Sequence, residues 1–285
     1  MRSVVVTGVS TGIGYATAAE LCRRGYRVFG SVRHEGQAEP LLRDAGAAFT
    51  PLIFDVTDAD AVREAAARVR SAIGEDGIFG LVNNAGISIA GPLSVQSPDI
   101  VRQHFEVNVI GVVHTVQAFL PLLRRRKGAS VRPGRIVNIS SVSGRIAFPF
   151  MGSYAASKHA LEALSDSLRR ELLIYGVDVI VIQPGAIDTP IWDKAAHIRS
   201  EYLETDYGSV LKGIDLHATR RASLPVATVP RRIVEALEHR KPKARYVVSD
   251  QPIKYWLGPR MLPDRWLDRI IDRMLNFRKV RDDLQ

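Results

Sequence analysis

The sequence predicts an α/β protein whose parallel β-sheet is doubly wound, with helices on both faces. Short apolar runs rich in β-branched residues alternate with segments of helical periodicity, which is typical of parallel strands joined by right-handed crossovers. The first run, 3–7, is apolar on both alternating faces, as a buried central strand requires. A glycine-rich turn follows it and leads into a helical pattern.

The other predicted elements continue this alternation. We expect strands over residues 3–7, 27–32, 47–54, 78–82, 135–140, 177–183 and 245–248. The first two helices end near Gly25 and Ile73, and later helices span 99–123, 153–175 and 229–239. Asp58 is placed to cap the helix that ends near Ile73.

The composition is that of an ordinary globular protein. With 285 residues, an apolar fraction of 46% and no long low-complexity linker, residues 1–250 fit one large domain, although the length also permits two. No run reaches the roughly 20 apolar residues of a membrane-spanning helix. The first strand begins almost at Met1 and leaves no room for a signal peptide, so we expect a cytoplasmic protein.

Charge, cysteine and histidine usage argue against several kinds of site. The net charge of +9 is spread over several basic segments, for which solvated helix ends are the simplest explanation, and no nucleic-acid-binding motif accompanies them. The single cysteine, Cys22, cannot form an internal disulfide. The seven histidines show no metal-ligand spacing. We therefore predict no metal site and no nucleic-acid partner.

The glycine-rich turn, Thr7 to Gly14, has the position of a phosphate-binding loop between the first strand and the first helix. Glycines there let backbone N–H groups approach a pyrophosphate, and the helix N-terminus adds a favourable dipole. Such a run is weak evidence alone, but this position predicts a dinucleotide site. The residues predicted to line it are Gly8, Ser10, Thr11, Gly12, Ile13 and Gly14.

Arg33 follows the second predicted strand, where a dinucleotide-binding unit usually carries an acidic residue for the ribose hydroxyls. A guanidinium suits a 2′-phosphate, whereas a carboxylate would repel it. We therefore expect NADP(H) to be preferred and NAD(H) to be an alternative. The competing interpretation is that Arg33 is a solvated loop residue.

A hydroxyl, a phenol and an amine fall within one strand-to-helix passage. Tyr154 and Lys158 stand four residues apart on a predicted helix and therefore share a face. A neighbouring cation favours the phenolate, so Lys158 is expected to lower the pKa of Tyr154 toward that of a useful general acid or base. Ser141, at the end of the fifth strand, could hydrogen-bond a substrate oxygen. This spacing is common on helices, so the pair alone does not establish catalysis.

Polar turns also follow the fourth and sixth strands. Asn83 to Gly86 and Pro184 to Pro190 stand at the carboxyl ends of these strands, where open α/β sheets bind ligands. Asn108 lies in an otherwise apolar helix, and a buried amide there must be satisfied. Structural hydrogen bonding and a role in catalysis both stay open for Asn108.

The last part of the chain changes character. The segment from about 190 to 226 has weak periodicity, and we interpret it as an insertion that covers the substrate. Residues 251–285 form an amphipathic C-terminal extension, whose apolar stripe could pack on the domain, on a second subunit, or on a membrane surface. The apolar residues of the insertion are Ile191, Trp192, Ile198, Tyr202, Leu203, Tyr207 and Leu211.

Together these residues resemble the classical short-chain dehydrogenase/reductase (SDR) family over nearly the whole chain up to about Val248. The resemblance implies a Rossmann-type fold, a homodimer or homotetramer, and a catalytic tetrad of Asn108, Ser141, Tyr154 and Lys158. The residues it implies for the cofactor are Asp55, Val56, Asn84, Ala85, Gly86, Tyr154, Lys158, Pro184, Gly185, Ile187 and Thr189.

The resemblance bears on cofactor preference in two ways. Arg33 is similar to the basic position of NADP(H)-preferring members, and Val32 replaces the acidic residue of NAD-preferring members. Thr11 stands where some NADP(H) members carry a basic residue inside the glycine motif.

The implied reaction is reversible hydride transfer between a nicotinamide and a secondary alcohol or carbonyl. Tyr154 would exchange the proton with the substrate oxygen, which Ser141 would position. Lys158 would hold the ribose, and Asn108 would support a proton-relay water. The junction at Arg33 and the apolar tail are similar to enzymes acting on steroids and retinoids, which favours a hydrophobic substrate.

Two alternatives differ in kind. The arginine clusters could recruit a small polar or anionic keto substrate. The fold could also serve a non-catalytic dinucleotide-sensing or scaffolding protein, although an intact tetrad argues against this.

Overall fold

The computed structural model describes residues 1–124, 132–190, 200–214, 223–251 and 258–283. Its strands are β1 Ser3–Val6, β2 Arg27–Val32, β3 Phe49–Ile53, β4 Gly80–Asn83, β5 Arg135–Ile139, β6 Asp178–Pro184 and β7 Arg245–Val248. They form a seven-stranded parallel sheet in the order β3-β2-β1-β4-β5-β6-β7. The strand order reverses between β1 and β4, and ligands of open α/β sheets bind at the carboxyl ends beside such a point.

Helices cover both faces of this sheet, as the sequence predicts. They are α1 Gly12–Arg23, α2 Glu39–Ala45, α3 Ala59–Ile73, α4 Pro98–Phe105, α5 Gly111–Leu123, α6 Gly152–Glu171, α7 Ser200–Leu203, α8 Gly208–Gly213, α9 Thr228–Glu238, α10 Gly258–Met261, α11 Asp264–Leu275 and α12 Phe277–Asp283. One core lies beneath α1, α2 and α9, and the other beneath α3, α5 and α6.

The two cores arise from the alternation of side chains along each strand. Val4 and Val6 of β1 pack with Leu21 of α1, whereas Val5 points to the other face and packs with Phe119 of α5. All five side chains are fully buried. A strand buried on both faces needs apolar residues at every position, which is why the first run of the sequence does not alternate.

The cap predicted at Asp58 is confirmed. Its Oδ1 accepts hydrogen bonds from the backbone N–H groups of Asp60 and Ala61, both at 3.0 Å. These two donors have no partner inside the first turn of α3, so the carboxylate satisfies them and begins the helix there.

The single helix predicted over 99–123 is wrong in one respect, because a π-helical turn, Glu106–Ile110, separates α4 from α5. The wider turn places Asn108 fully inside the fold. Gly111 begins α5 against Val56, where a Cβ atom would lie 2.7 Å from Val56 Cγ2. Among the described residues, 98–123 is the one helical stretch long and apolar enough to cross a membrane, but Phe119 and other side chains of α5 fill the core.

The insertion after β6 leaves and returns at the same place. Leu224 forms a parallel bridge with Ile187, and its backbone bonds Ala186 and Asp188 at 2.9 Å each. The described part of the insertion contains α7 and α8. Ile191, Trp192 and Ile198 lie outside the described residues. The C-terminal extension then follows β7, and its last helix, α12, rests on α8.

Candidate active site

The glycine-rich loop after β1 has a backbone that larger residues would not adopt. Gly8 and Gly12 have φ angles of 70° and 58°, in the left-handed region that favours glycine. A Cβ atom at Gly14 would lie 2.1 Å from the carbonyl oxygen of Gly8. Glycine is therefore required at these positions for the loop to fold back on the start of α1.

Side chains from β1 and β4 fix this loop. The Asn84 amide donates to the carbonyl oxygens of Thr7 and Gly8 at 2.9 and 3.0 Å. The Thr7 hydroxyl accepts from the backbone N–H groups of Asn84 and Ala85 at 2.9 and 3.0 Å. Asn84 therefore supports the loop backbone, while Ala85 and Gly86 lie beside it.

The ends of β2 and β3 place Arg33 and Asp55 at neighbouring strand ends. Val32 pairs with Ile53, and the backbone N–H of Phe54 donates to the carbonyl oxygen of Val32 at 3.0 Å. The Arg33 side chain is exposed, and within the described chain its guanidinium forms no ion pair. Asp55 Oδ1 accepts from the Thr57 backbone and hydroxyl at 3.0 and 2.9 Å.

Tyr154 and Lys158 lie on the first turns of α6, above the end of β5. The Lys158 ammonium is buried and donates to the carbonyl oxygen of Ile139 at 2.9 Å. Its Nζ atom lies 5.8 Å from the centroid of the Tyr154 ring. A Cβ atom at Gly86 would lie 3.6 Å from Lys158 Nζ, so the turn after β4 closes on the same amine.

Burial controls the pKa values of both groups. Desolvation lowers the pKa of Lys158 to about 8, and the nearby Glu162 carboxylate opposes this change. Desolvation raises the pKa of Tyr154, and a hydrogen bond with Ser141 opposes the rise. The net shift of the Tyr154 pKa is therefore upward, opposite to the expected direction, because enclosure of the phenol outweighs the hydrogen bond with Ser141. The effect of Lys158 on this pKa stays a prediction.

Ser141 follows β5 and faces the end of β6. Its Oγ atom accepts from the backbone N–H of Ser143 at 3.0 Å and lies 3.5 Å from the carbonyl oxygen of Pro184. Against the rise that burial causes, the Ser141 side chain also lowers the pKa of Tyr154, so the hydroxyl lies beside the phenol.

Asn108 holds the π-helical turn to the loop after β4. Its Oδ1 atom accepts from the Ile87 backbone N–H at 2.9 Å, and its Nδ2 group donates to the Ile87 carbonyl and to Ser157 Oγ at 3.0 and 2.9 Å. The amide therefore forms structural hydrogen bonds that join this turn to α6. Its support of a proton-relay water stays a prediction.

The residues after β6 pack between the end of β7 and the glycine-rich loop. Gly185 donates its backbone N–H to the carbonyl oxygen of Val248 at 2.9 Å. Ile187 and Thr189 are buried. A Cβ atom at Gly12 would lie 3.5 Å from Thr189 Cβ, which brings the turn after β6 against the glycine-rich loop. The predicted cofactor residues from both halves of the sheet therefore meet.

Two buried residues of the site carry no motif signal. His104 Nε2 accepts from the Ile89 backbone N–H at 3.0 Å, so its Nδ1 carries the hydrogen and donates to the Ile100 carbonyl at 2.8 Å. Burial lowers the pKa of His104, and the Lys158 charge adds to this effect. The neutral ring packs edge-on against Tyr154, with centroids 6.3 Å apart.

Glu162, one helical turn beyond Lys158, is the second such residue. Its carboxylate accepts from Arg145, Arg245 and Gln183 at 3.1, 2.9 and 2.9 Å. This network ties β6, β7 and the loop after β5 to α6. Its partners are far away in the chain. The one sequence signal is a charged residue at a position that helical periodicity places on the buried face of α6.

Aromatic rings pack together between the start of α6, the insertion and the C-terminal extension. Phe150, just before α6, packs edge-on against Tyr207 and Phe277 with centroids 5.9 and 6.2 Å apart. Tyr202 is fully buried, and its ring fills the space that a side chain at Gly91 would need. The described residues contain no cluster of three His, Cys, Asp or Glu side chains that could hold a metal ion.

Comparisons with known proteins agree with this geometry. Residues 2–199 match the family model described as short chain dehydrogenase. An NADPH-dependent 3-dehydrocapnine reductase from Ornithobacterium rhinotracheale is 41% identical over 272 residues, which cover 95% of this chain and 96% of that protein. Retinol dehydrogenase 5 from Mus musculus is 33% identical over 287 residues, covering 95% and 88%.

A solved structure supports the same assignment. The crystal structure of a short chain dehydrogenase/reductase from Burkholderia phymatum in complex with NAD has a TM-score of 0.75 and 28% identity, and 94% of each chain is covered. The chain belongs to the short-chain dehydrogenase/reductase family and is an oxidoreductase with a Rossmann-type fold.

Proposed function

We propose that this enzyme uses NADP(H) to interconvert a hydrophobic secondary alcohol and its ketone. The observation that carries the proposal is the convergence of Ser141, Tyr154 and Lys158 with the glycine-rich loop at the carboxyl end of one sheet. A proton donor for an oxygen atom therefore stands beside a cradle for a dinucleotide.

The residues present fit an NADP(H) molecule. The loop around Gly12 keeps an open backbone at the N-terminus of α1, which suits a pyrophosphate. Arg33 projects a guanidinium that lacks an ion-pair partner in the described chain, at the strand end where a 2′-phosphate would lie. The reductase relative is named for NADPH, which supports this preference, whereas the Burkholderia structure holds NAD.

When bound, the nicotinamide supplies or accepts the hydride. In the reductive direction the Tyr154 phenol donates its proton to the carbonyl oxygen, and Ser141 hydrogen-bonds the same oxygen. Lys158 stays positively charged at neutral pH despite its burial and offsets negative charge that develops on the phenol. Asn108 and His104 hold the loop after β4 and the tyrosine ring in place.

The aromatic cluster favours a hydrophobic substrate. Phe150, Tyr207 and Phe277 form an apolar group beside the start of α6. Apolar ligand surface removed from water contributes about 25 cal/mol per Å², so bulky ketones would outcompete small polar ones. One relative is named for retinol, an apolar alcohol.

The cofactor part is tested with Arg33→Ala. A charged hydrogen bond of about 1.5 to 3 kcal/mol corresponds to a roughly 10- to 100-fold loss of NADPH affinity, with NADH nearly unchanged. Affinities are measured by fluorescence titration, with Arg231→Ala on α9 as a matched control. Equal losses for both nucleotides would assign Arg33 to the fold instead, and tighter wild-type binding of NADH would overturn the preference.

The substrate part is tested with a panel of ketones. We expect kcat/KM to be higher for a bulky cyclic ketone and a long-chain ketone than for a small keto acid, at every salt concentration. A preference for the keto acid that weakens as salt rises would support the anionic alternative.

We further propose a cytoplasmic homodimer or homotetramer. Cys22 is half-buried, and desolvation raises the pKa of its thiol to about 11, so the cysteine is poorly reactive and suits a reducing compartment. Sedimentation velocity of the purified protein and cell fractionation test the two statements separately.

A further inference from the structure

The helix α11 exposes large apolar side chains in a regular stripe. Trp266, Ile270 and Met274 are 60%, 48% and 63% exposed and recur every four residues on one face. Met261, just before this helix, is 75% exposed. Single exposed apolar residues are ordinary, but a contiguous group of this size marks a binding surface. We call Trp266, Ile270 and Met274 the apolar stripe.

The other faces of α11 define what can cover this stripe. At 3.6 residues per turn, Arg265, Arg269 and Arg273 lie along one edge of the apolar stripe, and all three are exposed. Leu267, Ile271 and Leu275 lie along its other edge and are half-buried.

The acidic residues of α11 lie on the side away from the apolar stripe. Asp272 forms ion pairs with Arg278 and Arg281 of α12 at 3.2 and 3.6 Å. Asp268 pairs with Arg265 at 3.6 Å. The edge that borders the apolar stripe therefore presents positive charge, and the negative charge is turned away and partly neutralised.

Helix α11 is joined directly to the aromatic cluster at the start of α6. The chain passes from α11 through Asn276 directly to Phe277, which packs on Phe150 two residues before α6. Leu93, 57% exposed, approaches Gly152 at the start of the same helix. Helix α11 is thus tethered to this cluster through Phe277.

We propose that α11 docks this enzyme on the surface of an anionic lipid bilayer. The apolar stripe enters the boundary between headgroups and acyl chains, and the arginines along its edge contact anionic headgroups. A second copy packed antiparallel on the apolar stripe fits less well, because this packing would place the two arginine edges against each other. The proposal depends on this helix surface and not on the substrate class, so it can hold if the proposed substrate is wrong.

The test is co-sedimentation of the full-length protein with vesicles of phosphatidylcholine alone or mixed with phosphatidylglycerol. We expect binding to the mixed vesicles, weakening as salt rises, and little binding to phosphatidylcholine alone. The double variant Trp266→Glu, Ile270→Glu should lose at least tenfold in bound fraction. The matched control Leu173→Glu, Ile174→Glu changes two residues that are 73% and 78% exposed at the far end of α6, and should bind as wild type does.

A second variant separates charge from apolar contact. Replacing Arg265, Arg269 and Arg273 with Gln should reduce the preference for mixed vesicles by roughly fivefold per arginine. Urea unfolding in lipid-free buffer verifies that each variant is folded, and this readout does not depend on the proposed substrate.

Equal vesicle binding by the Trp266→Glu, Ile270→Glu variant and wild type would overturn the proposal. So would an absence of wild-type binding to the mixed vesicles. A solution dimer that this double variant dissociates, without vesicle binding by wild type, would assign the apolar stripe to a second copy instead.

Discussion

The proposed cofactor half of the site, at the ends of β1 to β5, and the proposed substrate half, formed by the insertion after β6 and the rings around Phe150, are held by different interactions. Four hydrogen bonds join the glycine-rich loop to the turn after β4. The Asn84 amide donates to two loop carbonyls, and the Thr7 hydroxyl accepts from two backbone N–H groups of that turn. On the substrate side, the Phe150 ring packs edge-on against the rings of Tyr207 and Phe277, and the Ser94 hydroxyl donates a hydrogen bond to the Tyr207 hydroxyl.

This difference separates what can vary from what cannot. Backbone hydrogen bonds and close glycine contacts tolerate few side chains, whereas an apolar wall can be rebuilt with other apolar residues of similar volume. Relatives named for 3-dehydrocapnine and for retinol match over 95% of this chain in each case.

The largest effect is expected from Tyr154→Phe, which removes the transferable proton and keeps the ring against His104. Loss of general acid catalysis typically lowers the rate by ~10² to 10⁴, so kcat should fall in this range while NADPH affinity stays nearly unchanged. Turnover and fluorescence titration measure the two quantities. Tyr175→Phe, in the turn that follows α6, is the matched control. Activity of Tyr154→Phe within a few-fold of wild type would remove Tyr154 from this role.

Gly14→Ala is the next largest change and tests the rigidity of the cofactor half. The new Cβ atom would lie 2.1 Å from the Gly8 carbonyl oxygen, which forces the loop or α1 to move. Overpacking typically costs about 1 to 3 kcal/mol, so urea unfolding should show a loss of this size together with weaker NADPH binding.

Gly213→Ala is the control on the substrate half, because nothing stands within 4 Å of its Cβ position. It should leave both the unfolding free energy and the nucleotide affinity close to wild type. Equal losses in the two variants would mean that the two halves are not built differently.

The sheet could be predicted from the sequence because its signals are local. Apolar runs of strand length alternate with helical patterns, and each strand ends at a glycine or polar turn. The spacing of Tyr154 and Lys158 also predicts their shared face, since helix geometry alone fixes it. The meeting of the glycine-rich loop with the turn after β6 follows from the strand order of a parallel sheet.

Other features depend on contacts between distant residues. Glu162 binds Arg245, which is 83 positions away in the chain, and no pattern near either residue indicates this pair. The π-helical turn at Asn108 depends on Ile87 and Ser157, 21 and 49 positions away. The pKa of Tyr154 depends on how tightly the fold encloses the phenol, so the expected direction of its shift was wrong.

Phe277→Ala should alter the substrate half alone. Removing one ring of an aromatic pair costs about 0.5 to 1.5 kcal/mol beyond lost area, so kcat/KM for a bulky cyclic ketone should fall roughly three- to tenfold. NADPH affinity should stay within twofold of wild type. Met261→Ala, in the same extension but exposed, should change neither value. Equal losses for bulky and small ketones would show that Phe277 supports the fold and not the substrate wall.

The smallest effect concerns the stability cost of the buried Lys158 ammonium. Its pKa is about 8 in the folded protein, and an unperturbed lysine titrates near ~10.4. Between these values the unfolded chain binds more protons, so this group makes the free energy of unfolding rise with pH across that window. Below pH 8 the folded protein carries the full cost of the buried charge.

Lys158→Met removes this buried charge. The variant should therefore lose activity but have a higher free energy of unfolding than wild type, most clearly at neutral pH. The difference in unfolding free energy between variant and wild type should shrink by about 1 kcal/mol between pH 7 and about pH 8.7, as wild-type Lys158 loses its proton in the folded state. Urea unfolding of both proteins without cofactor measures this difference. Tyr154 is present in both, so its raised pKa cancels in the comparison. If this difference in unfolding free energy stays constant with pH, the pKa of Lys158 is not lowered in the folded protein. Burial of the amine would then not reduce the stability of the cofactor half.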